Sequence, residues 1–351
     1  MSQTTLTAKP DHPWKLTPKD LVTDFLGVLF TLVSTLAIVG FSPLKGKLGF
    51  ALTLIVMAIV TATVMSWIRL DRKAAINSST TVLVYIAASF VLIALTSVIY
   101  EIIKLGAPGF SLRIFTDDLA ETASDMPLTE GGLLHAFFCT AYIVTFATLI
   151  STPHRILSAL YIVEVKGRFA GTVRFFVQAM SGVPSIVAGL FIFALWMIQL
   201  GNAYSGIAGG FALTVLMIPT VARTAEEVLK LIPQDLREAG LALGATQWRT
   251  VAMVVIPAAR SGLITAVILG IARVVGETAP LLLTIGGADA INLNPTAGNM
   301  SAFPYYVWKN LLIGSENAIS RAWLGVFVLM ILVLIFFALA RYFGAAKGSR
   351  K

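Results

Sequence analysis

The sequence is poor in charged residues, cysteine and histidine, and each shortage removes a class of function. Only 13% of the 351 residues are charged and 57% are hydrophobic, whereas soluble domains average about 25% charged and roughly 45–50% apolar residues. A water-soluble fold is therefore excluded. The single cysteine, Cys139, excludes an intrachain disulfide framework. His12, His135 and His154 lie far apart without a neighbouring carboxylate, so we predict no metal site.

The chain also lacks a phosphate-binding loop and any segment long enough for a soluble catalytic domain. The pairs Gly46-Lys47 and Lys347-Gly348 have neither the upstream glycine nor the following Ser or Thr of such a loop. The longest connection between hydrophobic runs, 223–262, has 40 residues, which is less than the ~50 residues of a small domain. We therefore expect a protein that is not an enzyme, binds no cofactor and does not hydrolyse ATP alone.

The sequence has instead several hydrophobic runs of membrane-spanning length. About 20 apolar residues are needed for a helix to cross the hydrocarbon core of a bilayer. Eight runs qualify, at 21–41, 48–68, 82–100, 133–150, 175–200, 207–222, 263–286 and 322–340. The pattern predicts an all-α integral membrane protein with eight spans.

Lysine and arginine are unevenly distributed between the connections of these runs. A cytoplasmic N-terminus places 19 of the 26 basic residues on the inside and six in the outside loops. Cytoplasmic loops of membrane proteins carry such an excess. The net charge of +8 therefore reflects membrane topology rather than binding of nucleic acid, and we predict that both termini are cytoplasmic.

The first two runs differ from the others in their content of polar and helix-breaking residues. Residues 21–68 form an almost purely apolar hairpin, which we interpret as a lipid-facing accessory within an N-terminal part, 1–81. The later runs carry glycines and prolines, which membrane helices tolerate where protein or a water-filled cavity satisfies the backbone. A pathway-forming core of six spans is therefore predicted at 82–343, followed by a cytoplasmic tail at 344–351.

The inside loop 223–262 carries the strongest local pattern. Pro233 followed by acidic residues predicts a short helix that stops at Gly244, and a second helix is predicted to begin near Thr246 and to be broken by Pro257. Two short helices at an angle form a knob that projects from the membrane. On periodicity alone, an ordinary cytoplasmic linker explains the loop equally well.

Arg273 and Glu277 place two charges inside a hydrophobic run. Arg273 is the eleventh residue of 263–286, near the bilayer midplane, where a charge costs about 2.5–3.5 kcal/mol on insertion scales. Glu277 is expected on the same helical face. The two charges either neutralise each other, or Arg273 presents a fixed charge to a passing oxyanion while Glu277 moderates it. Gln178 and Ser185 are candidates for the same path or for polar contacts between helices.

The knob contains a spaced motif: Glu238, Ala239, Gly240, Gly244, Val254, Ile256 and Pro257. It resembles the cytoplasmic EAA loop of binding-protein-dependent ABC importer permeases, in which Gly240, Val254 and Ile256 replace Ala, Ile and Leu. Of these changes only Gly240 is expected to weaken the helix, by about 0.5–1 kcal/mol. The resemblance implies that this loop forms the coupling helices on an ATPase, with these residues at the contact: Arg237, Glu238, Ala239, Gly240, Gly244 and Pro257.

A second motif runs from Ala272 to Leu281 and reads Ala-Arg-Val-Val-Gly-Glu-Thr-Ala-Pro-Leu. It is similar to the signature of phosphate importer permeases of the PstA type. Supporting matches run from Pro184 to Phe191 and from Arg223 to Pro233. The resemblance covers about 82–343, and nothing carries over to the extra hairpin.

The resemblance implies a type I, MetI-like ABC importer fold in a bacterial inner membrane. Its expected partners are a homologous second permease, two ATPase subunits that bind ATP and Mg²⁺, and an extracytoplasmic phosphate-binding protein. The expected pathway residues are Arg273, Glu277, Arg223, Ser185 and Gln178. Three alternatives remain: the partner permease of the same system, a permease for sulfate or molybdate, and an ion-driven secondary transporter, although the inverted repeats typical of the last are not found.

Overall fold

The computed structural model describes residues 18–43 and 46–344, which are almost entirely helical. The chain divides into two compact units, Met1–Ile99 and Tyr100–Lys351. The α-helices of the described residues are α1 Pro18–Phe41, α2 Lys47–Arg69, α3 Arg72–Gly106, α4 Leu134–Leu160, α5 Ala170–Ser181, α6 Ser185–Ile192, α7 Gly206–Lys230, α8 Gln234–Ala242, α9 Gln247–Thr250, α10 Ile256–Val275, α11 Ala279–Thr284, α12 Phe303–Ile313 and α13 Glu316–Gly344. The predicted all-α, multi-pass class is confirmed.

Seven helical segments of the described residues are long and apolar enough to cross a membrane, and one bent pair adds an eighth if it counts as a single span. The bent pair consists of Ala170–Ser181 and Ser185–Gln199, which meet at 102°. Pro184 lies at the bend because it has no N–H to donate and disfavours helical geometry in the residue before it. Each predicted run falls on one of these segments, but the run 175–200 is broken rather than straight.

The predicted run 263–286 is wrong at both ends. The spanning segment is Gln247–Val275, since α9 continues through a π-helical turn, Val251–Val255, into α10. Pro257 therefore does not break the segment but lies at the start of α10, directly after the π-helical turn. At the other end α10 stops at Gly276, before α11 begins.

The unit Met1–Ile99 contains the predicted accessory hairpin, formed by α1 and α2, and most of α3. Several hydroxyl groups of the hairpin bond within their own helices, as Thr31 does to the Gly27 carbonyl at 2.8 Å and Thr35 to the Thr31 carbonyl at 2.7 Å. Self-contained polar groups and an apolar exterior are what a lipid-facing helix needs. The predicted domain boundary after residue 81 falls inside α3, whereas the compact units divide after Ile99.

In the second unit α4 packs along α7, with α10 and α13 beside them. The contact face of α4 is a buried stripe at four-residue spacing: His135, Cys139, Ile143, Ala147, Ser151, Arg155 and Ala159. Such spacing keeps side chains on one face of a helix. Arg155, which the charge distribution assigned to an inside segment, is therefore part of the helical core.

The segment between α3 and α4 is fastened to the rest of this unit at two places. Buried Arg321 on α13 donates to the carbonyls of Met126, Pro127 and Glu130 at 2.8–3.1 Å. On another side of the segment, the Leu119 N–H donates to the Asp289 carbonyl at 2.9 Å. The segment thus forms a fixed layer over one end of the core.

Candidate coupling knob and transport pathway

The predicted knob forms between α7 and α10 and turns sharply at Gly244. The Gly244 N–H donates to the Leu241 carbonyl at 2.9 Å, and the Ala245 N–H donates to the Gly240 carbonyl at 3.3 Å. This is the Schellman pattern of a helix C-terminus, which requires a left-handed residue, and Gly244 has φ +80°. Thr246 then caps α9 by accepting the Arg249 N–H. The predicted stop and restart are confirmed.

Arg237 turns into the knob rather than out of it. Its guanidinium forms an ion pair with Glu164 at 2.7 Å and donates to the carbonyls of Leu229 and Ile232 at 2.9 and 2.6 Å. This hydrogen bonding to Glu164 raises the pKa of Arg237 above its ordinary value. Arg237 therefore ties α8 to the end of α7 and to the π-helical turn that follows α4, Tyr161–Val165.

Gly240 is buried against Thr250, which gives its departure from the family motif a packing reason. A Cβ atom built at Gly240 lies 2.7 Å from Thr250 Cγ2 and 3.0 Å from Thr250 Oγ1. An alanine side chain does not fit there unless Thr250 moves. The loss of helix propensity at Gly240 is thus offset by the close approach of α8 to the last residue of α9.

The outward surface of the knob is apolar for a loop segment. Glu238 and Ala239 are exposed, and they share this surface with large hydrophobic side chains that are 49–89% exposed: Leu231, Leu241, Leu243, Trp248 and Met253. Exposed apolar groups gathered at one place mark interaction sites. The knob therefore presents an exposed apolar surface.

A cavity of about 360 Å³ opens at the base of the knob, lined partly by basic residues. Arg174 on α5 and Lys230 at the end of α7 share the carboxylate of Glu226, at 2.9 and 3.0 Å. Because two cations share one nearly buried acid, α5 is held against α7. The knob thus rests on a base of linked helices.

Arg273 lies in the last turn of α10 and is exposed in the single chain. Its Nη1 donates to Thr220 Oγ1 on α7 at 3.1 Å. Glu277 follows the helix end at Gly276, so the predicted common helical face is wrong. No ion pair joins Arg273 to Glu277 in the described chain, and the self-neutralising pair is not formed. The guanidinium therefore keeps its charge on an open surface.

The other predicted pathway residues lie on two neighbouring surfaces. Arg223 is exposed on α7, three residues from Thr220 and hence on the same face as the hydroxyl that contacts Arg273. Ser185 is half-buried at the start of α6, and Gln178 is exposed on α5. A Cβ atom at Gly189 lies only 2.5 Å from Pro280 Cα, so α6 packs directly on α11. The two sequence motifs are thus neighbours in space.

Sequence reasoning missed Arg155 as a candidate. The side chain is fully buried, and all three guanidinium nitrogens lack a hydrogen-bond partner among the described residues. The missed signal is the four-residue spacing from His135 to Ala159, which includes Arg155 in an otherwise apolar or small stripe. Because the charge distribution counted Arg155 among the basic residues of an inside segment, it was not considered as part of this helix.

These features describe a polytopic helical membrane protein with an exposed apolar knob and a cationic surface, an architecture that fits the class of membrane permease subunits. Residues 155–347 match the family model described as binding-protein-dependent transport system inner membrane component. The chain belongs to this family.

Relatives named as phosphate permeases match over much of the chain. The phosphate transport system permease protein PstA 1 of Mycobacterium tuberculosis (strain CDC 1551 / Oshkosh) is 40% identical over 204 residues, which are 58% of this chain and 67% of that protein. PstA of Mycobacterium leprae (strain TN) is 37% identical over 290 residues, which are 82% of this chain and 93% of that protein. A chain of the inward-facing MetNI methionine ABC transporter is 23% identical, covers 60% of this chain and 92% of its own length, and has a TM-score of 0.49.

Proposed function

We propose that this chain is the permease subunit of an ATP-driven importer of inorganic phosphate and forms half of the translocation pathway. The observation that carries the proposal is that the Arg273 guanidinium is exposed in the single chain and bonds to a neutral hydroxyl rather than to a carboxylate. An unneutralised guanidinium binds oxyanions through paired N–H groups. The names of the relatives specify phosphate among these anions.

The knob supports the proposed coupling to ATPase subunits. Its exposed apolar side chains suit a groove of a partner protein, and the tie of Arg237 to Glu164 lets a push on α8 reach α4 and α7. In this proposal two ATPase subunits bind ATP and Mg²⁺, while this chain binds no cofactor and has no nucleotide site. A second, homologous permease completes the pathway, and an extracytoplasmic binding protein delivers phosphate at the face opposite the knob. Both termini are then cytoplasmic.

Arg273 acts by holding and releasing the anion, without a chemical step. The guanidinium presents a positive charge and planar N–H groups to phosphate in every cycle. Thr220 orients one N–H group of the Arg273 guanidinium and leaves the other N–H groups free to bind the substrate. ATP-driven closure of the ATPase pair changes the separation of the helices around this point and opens the path toward the opposite side.

The proposal is tested by phosphate uptake into proteoliposomes that contain the complete complex and its binding protein. We expect Arg273→Gln to lower uptake by about 10- to 100-fold, since a charge-assisted hydrogen bond contributes about 1.5–3 kcal/mol. Arg273→Lys should also be impaired, because an ammonium lacks the planar fork. The charge-matched control is Arg341→Gln at the end of α13, which should transport normally.

Glu277 supplies the discriminating variant. Since no ion pair joins it to Arg273, we expect the double substitution Arg273→Gln and Glu277→Gln to stay inactive. Recovery of uptake in the double variant would show that Arg273 only balances Glu277 and would remove it from the pathway. Uptake of sulfate or molybdate in place of phosphate by the unaltered complex would reassign the substrate.

A further inference from the structure

Arg155 is a buried cation that the proposed pathway does not yet use. It lies on the buried stripe of α4, is 0% exposed, and offers three nitrogens that no acceptor among the described residues satisfies. The described chain also pairs no carboxylate with it. A buried charge without a partner costs several kcal/mol, and proteins rarely keep one without a use for it.

The surroundings of Arg155 are the contact between α7 and α10. A Cβ atom built at Gly270 on α10 would lie 3.5 Å from Arg155 Nη1 and would collide with Val221 on α7. The missing side chain at Gly270 therefore lets α10 approach α7 directly in front of the guanidinium. We call this contact of Gly270 with Val221 the seam.

Arg273 lies close to the seam as well, on the exposed side of α7 and α10. Its partner Thr220 precedes Val221 on α7, and Arg273 itself lies three residues beyond Gly270 on α10. One guanidinium is thus exposed beside the seam and a second is fully buried behind it. When α7 and α10 separate, the first barrier removed between them is a contact of aliphatic atoms.

We propose that Arg155 is a second anion-binding position of the translocation pathway, exposed when the seam between α7 and α10 opens and occupied by the oxyanion after it leaves Arg273. This inference rests on the proposed function. Arg155 is five residues from the end of α4 that adjoins the knob, whereas Arg273 is two residues from the end of α10 farthest from it. Import therefore passes Arg273 first and Arg155 second.

The arrangement links opening of the seam to arrival of the substrate. While the seam is closed, the guanidinium of Arg155 is desolvated and unpaired, which disfavours the closed state. An oxyanion that enters forms charge-assisted hydrogen bonds with it and so stabilises the open state selectively. A ligand that binds one of two states better shifts the population toward that state. Arginine suits this role since it stays charged even when it is buried.

The first test replaces Arg155 with methionine in the full complex and measures uptake, ATP hydrolysis and thermal stability together. We expect assembly to be normal and the melting temperature to be equal or higher, because an uncompensated buried charge has been removed. Phosphate uptake should fall about 10- to 100-fold. Uptake by the Arg155→Lys complex should lie between that of the unaltered complex and that of Arg155→Met. Arg341→Met is the matched control.

Two results would overturn the inference while leaving the proposed function intact. One is normal uptake by the Arg155→Met complex; the other is a loss of uptake fully explained by lower stability or assembly. Failure of the unaltered complex to import phosphate would instead contradict the proposed function itself.

The second test asks whether this position opens to solvent during the cycle. The chain has one cysteine, Cys139, which is buried, so Cys139→Ser provides a background for Arg155→Cys. We expect a small cationic methanethiosulfonate reagent to label the new thiol during ATP turnover and not in the resting complex. A thiol that stays unlabelled in every state would contradict an opening seam.

Discussion

Gly244 gives the clearest quantitative prediction for the knob, because its surroundings separate backbone strain from packing. The residue has φ +80°, and a Cβ atom built on it meets nothing within 4 Å. Any cost of a substitution therefore comes from the backbone conformation alone. For an L-residue the left-handed region costs about 1–2 kcal/mol, less for asparagine and more for a β-branched residue.

This strain appears as weakened docking of the ATPase. The free knob of a substituted chain relaxes to a different turn, and the partner has to restore the original one on binding. The loss of binding free energy is then at most the strain energy. For Gly244→Ala this raises the apparent Kd by about 5- to 30-fold. Gly244→Asn should weaken docking less and Gly244→Val more, and phosphate transported per ATP should fall in the same order.

The assay titrates purified ATPase subunits onto the permease pair and measures Kd, with uptake and ATP hydrolysis measured on the same preparations. Gly171→Ala is the matched control, since its Cβ atom also meets nothing but its φ is ordinary. It should dock normally. Equal Kd values for the three Gly244 variants and the unaltered chain would refute the reasoning, as would an equal loss in the control.

Three further outcomes follow from the fold. Gly240→Ala should destabilise the purified complex by about 1 kcal/mol, since overpacking costs more than the helix gains, and a melting curve that shows no recovery with Thr250→Ala added would contradict the packing argument. Arg237→Met and Glu164→Gln should each lower stability, with a coupling energy of about 1–3 kcal/mol in the double variant, whereas purely additive effects would mean independent roles. Deletion of 1–70 should reduce the yield of complex yet preserve uptake per complex, and loss of uptake at normal yield would assign the hairpin to the pathway.

The sequence alone predicted the helical class, the approximate positions of the spans and the turn at Gly244, because hydrophobic length and a glycine at a helix end are local signals. The seventh span was predicted to begin at residue 263, whereas the helical segment begins at Gln247. The apolar residues of Val251–Val255 had been assigned to the loop. The predicted relation between Arg273 and Glu277 was wrong because the hydrophobic run continues past Gly276, where the helix ends. Arg155 was missed because it was counted among the basic residues of an inside segment, although the four-residue spacing from His135 to Ala159 places it on the buried face of α4.

The anchor at Arg321 has a consequence for how the segment between α3 and α4 can evolve. The guanidinium donates to three main-chain carbonyls of this segment, those of Met126, Pro127 and Glu130, and every amino acid supplies such a carbonyl. Exposed side chains of this segment are thus free to change without breaking this anchor, whereas its buried residues Ile114, Leu119 and Leu133 are not. A surface that is held by its backbone can drift in charge and shape to match a different external protein, while the arginine that fastens it stays the same.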